Sequence, residues 1–317
     1  MKINLRKSFI CGIKGTKLSK KEYLFIKKHK PWGIILFSRN INSIKQTKNL
    51  TDHIRKIFKD KNYPIIIDEE GGTVTRLKKI IDTSIFSQKY FGNLYRKDKK
   101  KFGIYFSVYI NQISYILKLL GININTVPVL DVLRSFSSSV LKDRCYSSNP
   151  KIVSDLGNLC IRTFEKNGIA TVIKHIPGHG LSSKDTHSDL PKIKEKLSKL
   201  EKNDFYPFKN KSSCLAMTAH IIYESIDKLN TATHSKKVIK LIRNNIGYKN
   251  IIMTDDISMK SLKFSLKENT IRAFTAGCNL VLHCNGNIKE MTTVANNSPF
   301  ITKFIRKKNT NLNLIFG

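Results

Sequence analysis

The segment Thr171-Val172-Ile173-Lys174-His175-Ile176-Pro177-Gly178-His179-Gly180 decides how the chain is read. A short β-branched apolar run ends on two groups capable of chemistry and is then broken by Pro-Gly, as a buried parallel strand does when it delivers side chains to a loop. The pattern recurs. Phe9–Ile13, Gly33–Phe37, Pro64–Asp68, Thr126–Asp131, Leu215–His220, Ile251–Asp255 and Leu280–Cys284 bring the predicted strands to eight. Segments of helical period lie between them, among them Thr47–Phe58, Ile104–Leu120, Ser154–Asn167, Lys236–Asn245 and Lys267–Ala276, with Gly121 and Gly277 as glycine stops. This alternation predicts an α/β fold, a (β/α)₈ TIM-type barrel with room for an irregular or incomplete strand pattern. No GxGxxG or Walker glycine loop favours an open Rossmann sheet.

In a parallel barrel the carboxyl ends of all strands open on one face, so Asp68, Asp131, Lys174, His175, His220 and Asp255 are predicted to converge although far apart in sequence. Neither a Pro/Gly/Ser linker nor an internal repeat divides the chain. Residues 1–317 therefore read as one catalytic barrel domain, with a polar, basic tail after Asn296.

The 57 Lys+Arg against 23 Asp+Glu give a formal charge of +34. Such a charge invites a nucleic-acid or lipid-surface reading. Its distribution argues against one, because lysines are spread over the whole chain and the densest run, Arg96–Lys101, has no aromatic stacking pattern around it. Joint enrichment in Lys, Ile and Asn reads as AT-biased composition. Cys11, Cys145, Cys160, Cys214, Cys278 and Cys284 contain no CxxC pair and several sit in apolar runs, so reduced buried thiols are expected. The apolar run Phe9–Ile13 is too short for a signal peptide, and no segment reaches the roughly 20 apolar residues of a membrane helix. A soluble cytoplasmic monomer with no nucleic-acid or membrane partner is the expectation.

Three motifs carry chemistry. Asp68-Glu69-Glu70-Gly71-Gly72 with Arg76 brackets a polar ligand between a hydroxyl-accepting carboxylate and a planar donor fork; alone, an exposed turn with a surface ion pair explains it equally well. In Lys174–Gly180, the i, i+4 spacing of His175 and His179 suggests zinc, but Pro177 and Gly178 forbid a regular helix between them and no further ligand has metal-like spacing, so no metal is assigned. Just beyond, the carboxylate of Asp185 stands two residues before His187, where it can fix the tautomer of an imidazole acting as general acid/base. Ile251–Asp256 ends in two acids. Strand alternation turns one of them inward, as a candidate nucleophile or oxocarbenium stabiliser, and leaves the other to cap a turn.

Together with Pro128–Val132, Asp143-Arg144, Ala219-His220-x-x-Tyr223 and Thr254-Asp255-Asp256, these blocks resemble the single-domain β-N-acetylglucosaminidases of glycoside hydrolase family 3, in family order from roughly Gly33 to Asn285. The resemblance implies retaining hydrolysis of terminal β-linked N-acetylglucosamine, with Asp255 as nucleophile and His187, oriented by Asp185, as acid/base. It implies that Asp68, Arg76, Arg144, Lys174 and His175 hold the sugar, that no cofactor is needed, and that the substrate is a GlcNAc-containing muropeptide of peptidoglycan recycling. The chain departs from the family at Glu69, Thr73 and Asn279, and its tail is short. Two other readings stand beside this one: a polyanion-binding barrel with vestigial catalysis, and a Schiff-base lyase using Lys174.

Overall fold

A computed structural model of the chain describes residues 6–135, 137, 139–182 and 190–317. The elements in chain order are β1 (Lys7–Gly12), α1 (Lys20–His29), β2 (Pro31–Leu36), α2 (Ile44–Phe58), β3 (Ile65–Ile67), α3 (Gln88–Lys97), α4 (Lys99–Leu119), β4 (Ile124–Asn125), α5 (Ser139–Lys142), α6 (Pro150–Lys166), β5 (Ala170–Ile176), β6 (Lys192–Ile193), α7 (Leu197–Lys202), β7 (Leu215–Thr218), β8 (Ile222–Tyr223), α8 (Lys236–Asn244), β9 (Ile251–Asp256), α9 (Leu266–Ala276), β10 (Leu280–His283), α10 (Ile288–Asn296) and α11 (Lys303–Phe316). Eight strands close into a barrel in the order β1-β2-β3-β4-β5-β7-β9-β10, β10 returning to β1. Every neighbouring pair is parallel. β6 and β8 form a separate two-stranded sheet on the loop side.

The strands are apolar on both faces because both are covered, the inner by the barrel core and the outer by helices. Ile10, Trp32, Ile66, Val172, Met217, Met253 and Leu282 meet inside, whereas Ile34, Ile173, Ala216, Ile252 and Val281 pack into the outer layer. Helix starts follow from local chemistry. Ser19, Ser43, Ser87, Asp98, Asn149, Ser235, Ser265, Asn287 and Thr302 each accept first-turn backbone N–H groups, and Ser19 with Glu22 forms a reciprocal capping box. Gly277 ends α9 at φ 112°, a left-handed conformation that suits glycine.

One segment differs from the sequence expectation, and the tail takes a structure that its composition did not assign. The fourth strand is Ile124–Asn125, not 126–131, because Pro128 has no N–H to offer the ladder; beyond it the chain stays beside β5 through the Val129–Lys174 bridge and three backbone bonds, Val172 N to Val127 O at 3.1 Å, Lys174 N to Pro128 O at 3.2 Å and Leu130 N to Lys174 O at 2.7 Å. The basic tail is ordered as α11, which inserts Ile305 and Leu312 into the inner cluster beneath the amino ends of the strands. Asn309 accepts the indole N–H of the fully buried Trp32 at 3.1 Å. The basic residues of α11 stay on its outer side, which is why charge hid its role. Among the described residues, no helix is long and apolar enough to cross a membrane.

Replacing Ile305 with Ala should therefore cost about 2–4 kcal/mol in urea unfolding, and Asn309→Ala about 1–3 kcal/mol by stranding the Trp32 donor. Losses below about 0.5 kcal/mol in both variants would show that α11 is not part of the core.

Candidate active site

At the carboxyl ends of the strands, Asp68, Arg76, Thr126, Arg144, Lys174, His175, His179, Asp255 and Asp256 line a pocket of about 240 Å³ together with Ile35, Phe37, Met217 and Leu282. This is space for a single sugar ring with its substituents rather than for a polymer strand. Three cations (Arg76, Arg144 and Lys174) face three carboxylates (Asp68, Asp255 and Asp256), so the overall +34 is not concentrated here.

Asp68 follows β3 just past its last rung with β4, Ile67 opposite Asn125. Its Oδ1 accepts from the Thr126 hydroxyl at 2.6 Å and from Lys174 Nζ at 2.5 Å, and its Oδ2 from Arg76 Nη2 at 2.9 Å. Burial alone would raise its pKa; Lys174 and Arg76 overturn that and hold the carboxyl far below its ordinary range. With Oδ1 doubly bonded, Oδ2 keeps one acceptor position for a ligand hydroxyl.

Arg76 is set by the loop before it. Gly71 and Gly72 lie at φ 77° and 64°, and a Cβ on Gly71 would sit 2.3 Å from Phe86 O. Glu69, buried, draws the loop inward. It accepts from Arg76 N at 2.5 Å, Leu77 N at 3.1 Å, and the hydroxyls of Thr83 at 2.6 Å and Thr75 at 3.2 Å. The family departure at Glu69 thus fastens the loop and stays out of the pocket; Thr73 is exposed on the same turn. Asn279, the third departure, accepts from Arg243 Nη2 and Ile252 N at 2.7 and 2.9 Å, for which a neutral oxygen suffices.

Lys174 and His175 are consecutive on a strand yet both line the pocket. The register of β5 against β7 shifts between Lys174 and Ile176, and at this irregularity neighbouring side chains share a face. Lys174 is 2% exposed and also pairs with Glu70 Oε1 at 2.6 Å. Glu70 in turn receives Arg144 through Nε and Nη2, both at 2.8 Å. Burial raises the Glu70 pKa, but Arg144 and Lys174 bring it below its usual value. Asp131 holds His175 through Nδ1 at 2.7 Å and through the backbone N–H at 3.2 Å, and takes the His179 N–H at 2.7 Å. Because a carboxylate only accepts, the His175 Nδ1 carries a proton and Nε2 faces Arg144 Nη2 at 3.5 Å.

Asp255 shares the inner face of β9 with Ile251 and Met253, as alternation requires. Burial pushes its pKa up, while His220 and His175 in their protonated forms, the Asp256 backbone N–H and Lys174 pull it net below the ordinary carboxylate value. Asp256 caps the following turn, accepting from Ser258 N at 3.0 Å and Ser258 Oγ at 2.8 Å. Asp185 and His187 lie outside the described residues. Both flanks of that segment are anchored: Gly180 packs against the Val132 backbone and its carbonyl accepts from Ser137 Oγ at 2.6 Å, and β6 pairs with β8.

The structure brings Asp68, Arg76, Arg144, Lys174, His175 and Asp255 into one pocket. Glu70, Thr126 and His179 were not picked out as site residues from sequence, and Asp131 was flagged only as a strand-end acid. The two acids behind Asp68 mark this loop as a place for buried ion pairs, without local indication of which of them meets the cations.

Glu70→Gln should cost about 3–5 kcal/mol in stability, because it leaves two buried cations facing a neutral partner; an unchanged urea midpoint would contradict the pairing. A second expectation concerns pH. Burial, then the neighbouring His175, lowers the His179 pKa to about 4, and burial, then His220, lowers His234 to about 4. The unfolded chain then binds more protons than the folded one, so stability is lost as pH falls from about 6.5 towards 4. His179→Gln should remove one proton's share of that slope in urea titrations at pH 7 and pH 5; an identical slope in the variant would refute it.

The profile of the Glycosyl hydrolase family 3 N terminal domain matches residues 6–309. Beta-hexosaminidase of Alkalilimnicola ehrlichii is 31% identical over 283 residues, spanning 87% of this chain and 80% of the relative. Beta-hexosaminidase A of Pseudoalteromonas piscicida is 30% identical over 79% of this chain, which spans only 45% of that longer protein. Native NagZ from Neisseria gonorrhoeae superposes with a TM-score of 0.85 at 26% identity, covering 97% of this chain and 90% of its own. A profile match along almost the whole barrel, joined to that superposition, places the chain in glycosyl hydrolase family 3.

Proposed function

We propose that the chain is a retaining, exo-acting β-N-acetylglucosaminidase that removes terminal, non-reducing β-linked N-acetylglucosamine from muropeptides in cytoplasmic peptidoglycan recycling. Its relatives are named beta-hexosaminidases, and the chain is a glycosidase of that β-N-acetylhexosaminidase class. The observation that carries the finer reading is the Asp255 carboxyl on the pocket's inner face, across from the Asp68, Arg76, Arg144, Lys174 and His175 constellation.

In this reading the free position on Asp68 Oδ2 accepts a sugar hydroxyl, and Arg76, Arg144 and Lys174 present donors to the remaining hydroxyls and the acetamide oxygen. An Asp255 oxygen attacks the anomeric carbon. The glycosidic C–O bond breaks as His187, oriented by Asp185, gives its proton to the departing oxygen, leaving a glycosyl ester on Asp255. The imidazole then takes a proton from water, whose oxygen attacks the same carbon and releases Asp255; two inversions give net retention. A neutral imidazole in place of a second carboxylate adds no negative charge that would raise the pKa of Asp255 or repel an acidic aglycone.

On a chromogenic N-acetyl-β-glucosaminide, Asp255→Asn should lower kcat on the order of 10⁴-fold and His187→Ala about 10²–10⁴-fold. Wild-type rates in either variant remove that assignment. A fluorinated sugar should label Asp255, and label on another residue refutes the nucleophile. Turnover of a defined GlcNAc-anhydro-muramyl peptide should exceed that of a chitin disaccharide; the reverse order would refute the recycling role.

A further inference from the structure

The imidazole of His220 lies just outside the substrate pocket, is 1% exposed, and has both ring nitrogens engaged. Nε2 lies 3.0 Å from the carbonyl oxygen of Asp256, which only accepts, so Nε2 carries a proton. Nδ1 lies 2.7 Å from Thr233 Oγ1, and that hydroxyl lies 2.8 Å from Thr218 Oγ1 and 3.3 Å from Ala219 O. In a neutral ring whose proton sits on Nε2, Nδ1 accepts, so Thr233 donates to Nδ1 and receives from Thr218. The result is a directed chain, Thr218 to Thr233 to His220 to the Asp256 carbonyl, with His220 neutral. Burial, which lowers its pKa against the opposing pull of Asp255, acts in the same sense.

The place of this chain in the barrel gives it meaning. The ladder between β7 and β9 ends at Thr218 paired with Thr254, one residue before the nucleophile. Past that rung the Ala219 N–H turns to Ile176 O of β5 at 2.9 Å, and the contact made towards β9 is that of the His220 ring Nε2–H with Asp256 O. Asp256 is then held at both ends: its carbonyl by His220, its N–H by Asp255 Oδ1 at 2.7 Å. With β10 holding Asp256 opposite Leu282 on the other side, an imidazole fixed by two buried hydroxyls holds, from the β7 side, the residue whose N–H orients the attacking carboxylate.

We propose that His220 is a positioning residue for the glycosylation step, acting as a neutral Nε2–H donor that takes the place of a strand rung and holds Asp255 in its attack geometry. The inference rests on Asp255 being the nucleophile. It requires that loss of the donor lower kcat while leaving sugar binding, which belongs to the β3 and β5 ends, nearly untouched.

The test is steady-state kinetics on the chromogenic glycoside, with fluorosugar trapping, of His220→Ala, His220→Gln and Thr233→Val. His220→Ala should lower kcat and the trapping rate by about 10²-fold with KM within about 3-fold. Gln, whose amide N–H reaches about as far as Nε2, should recover at least about a tenth of the lost rate. Thr233→Val, isosteric and without the hydroxyl, should cost about 5–20-fold in kcat. Should His220→Ala fail to fold, as judged by circular dichroism, the Gln and Val variants carry the test. A rise in KM at constant kcat, no effect of Thr233→Val, or Gln no better than a folded Ala overturns the proposal. Asp255→Asn is measured alongside: if it stays active, the nucleophile reading fails; if it is inactive while the His220 variants match wild type, only the positioning role fails.

Discussion

The ammonium of Lys174 is the point on which the site hangs. It is almost wholly buried at the end of β5 and is held by two carboxylates from the β3 loop and by the Thr126 hydroxyl after β4. An isolated charge in that position would be prohibitively desolvated, so three strand ends are drawn to it and the barrel mouth is closed on that side. Arg144 extends the network through Glu70, and Asp68 extends it to Arg76. The groups proposed to bind sugar are therefore the same groups that satisfy one another in its absence, and a ligand finds them already oriented.

Much of this was readable in order. Parallel strands buried on both faces leave an unmistakable apolar signal, and the first polar residue at each strand end is delivered to a common face; Asp68, Lys174 and Asp255 follow from that rule. What stayed hidden depends on partners rather than on pattern. Glu70 is the third of three consecutive acids, and nothing local says that Glu69 ties a loop while Glu70 turns to Arg144 and Lys174. The fourth strand was displaced because an apolar run containing Pro128 looks like a strand but lacks a donor. Helix α11 was obscured by its basic composition, since its inward face is carried by Ile305, Asn309 and Leu312, with Ile315 and Phe316 half-buried beside them.

Charge gains a clearer meaning as well. Three cations balance three carboxylates around the pocket, so almost all of the excess lies on exposed helix and loop positions. There it affects solubility and non-specific association rather than the reaction. The spread of lysines along the chain and the balanced mouth of the barrel are two views of the same separation.

The floor of the barrel bears on how the chain reaches this state. Trp32 and Asn309 are 277 residues apart in sequence, and their bond joins the second strand to the final helix. A contact of that span closes almost the whole chain into one loop, and the entropy of that closure must be met before the packing beneath the strands rewards it. Until then the indole and the lower ring of apolar side chains face water, and a chain arrested before α11 docks would present an adhesive surface to its neighbours.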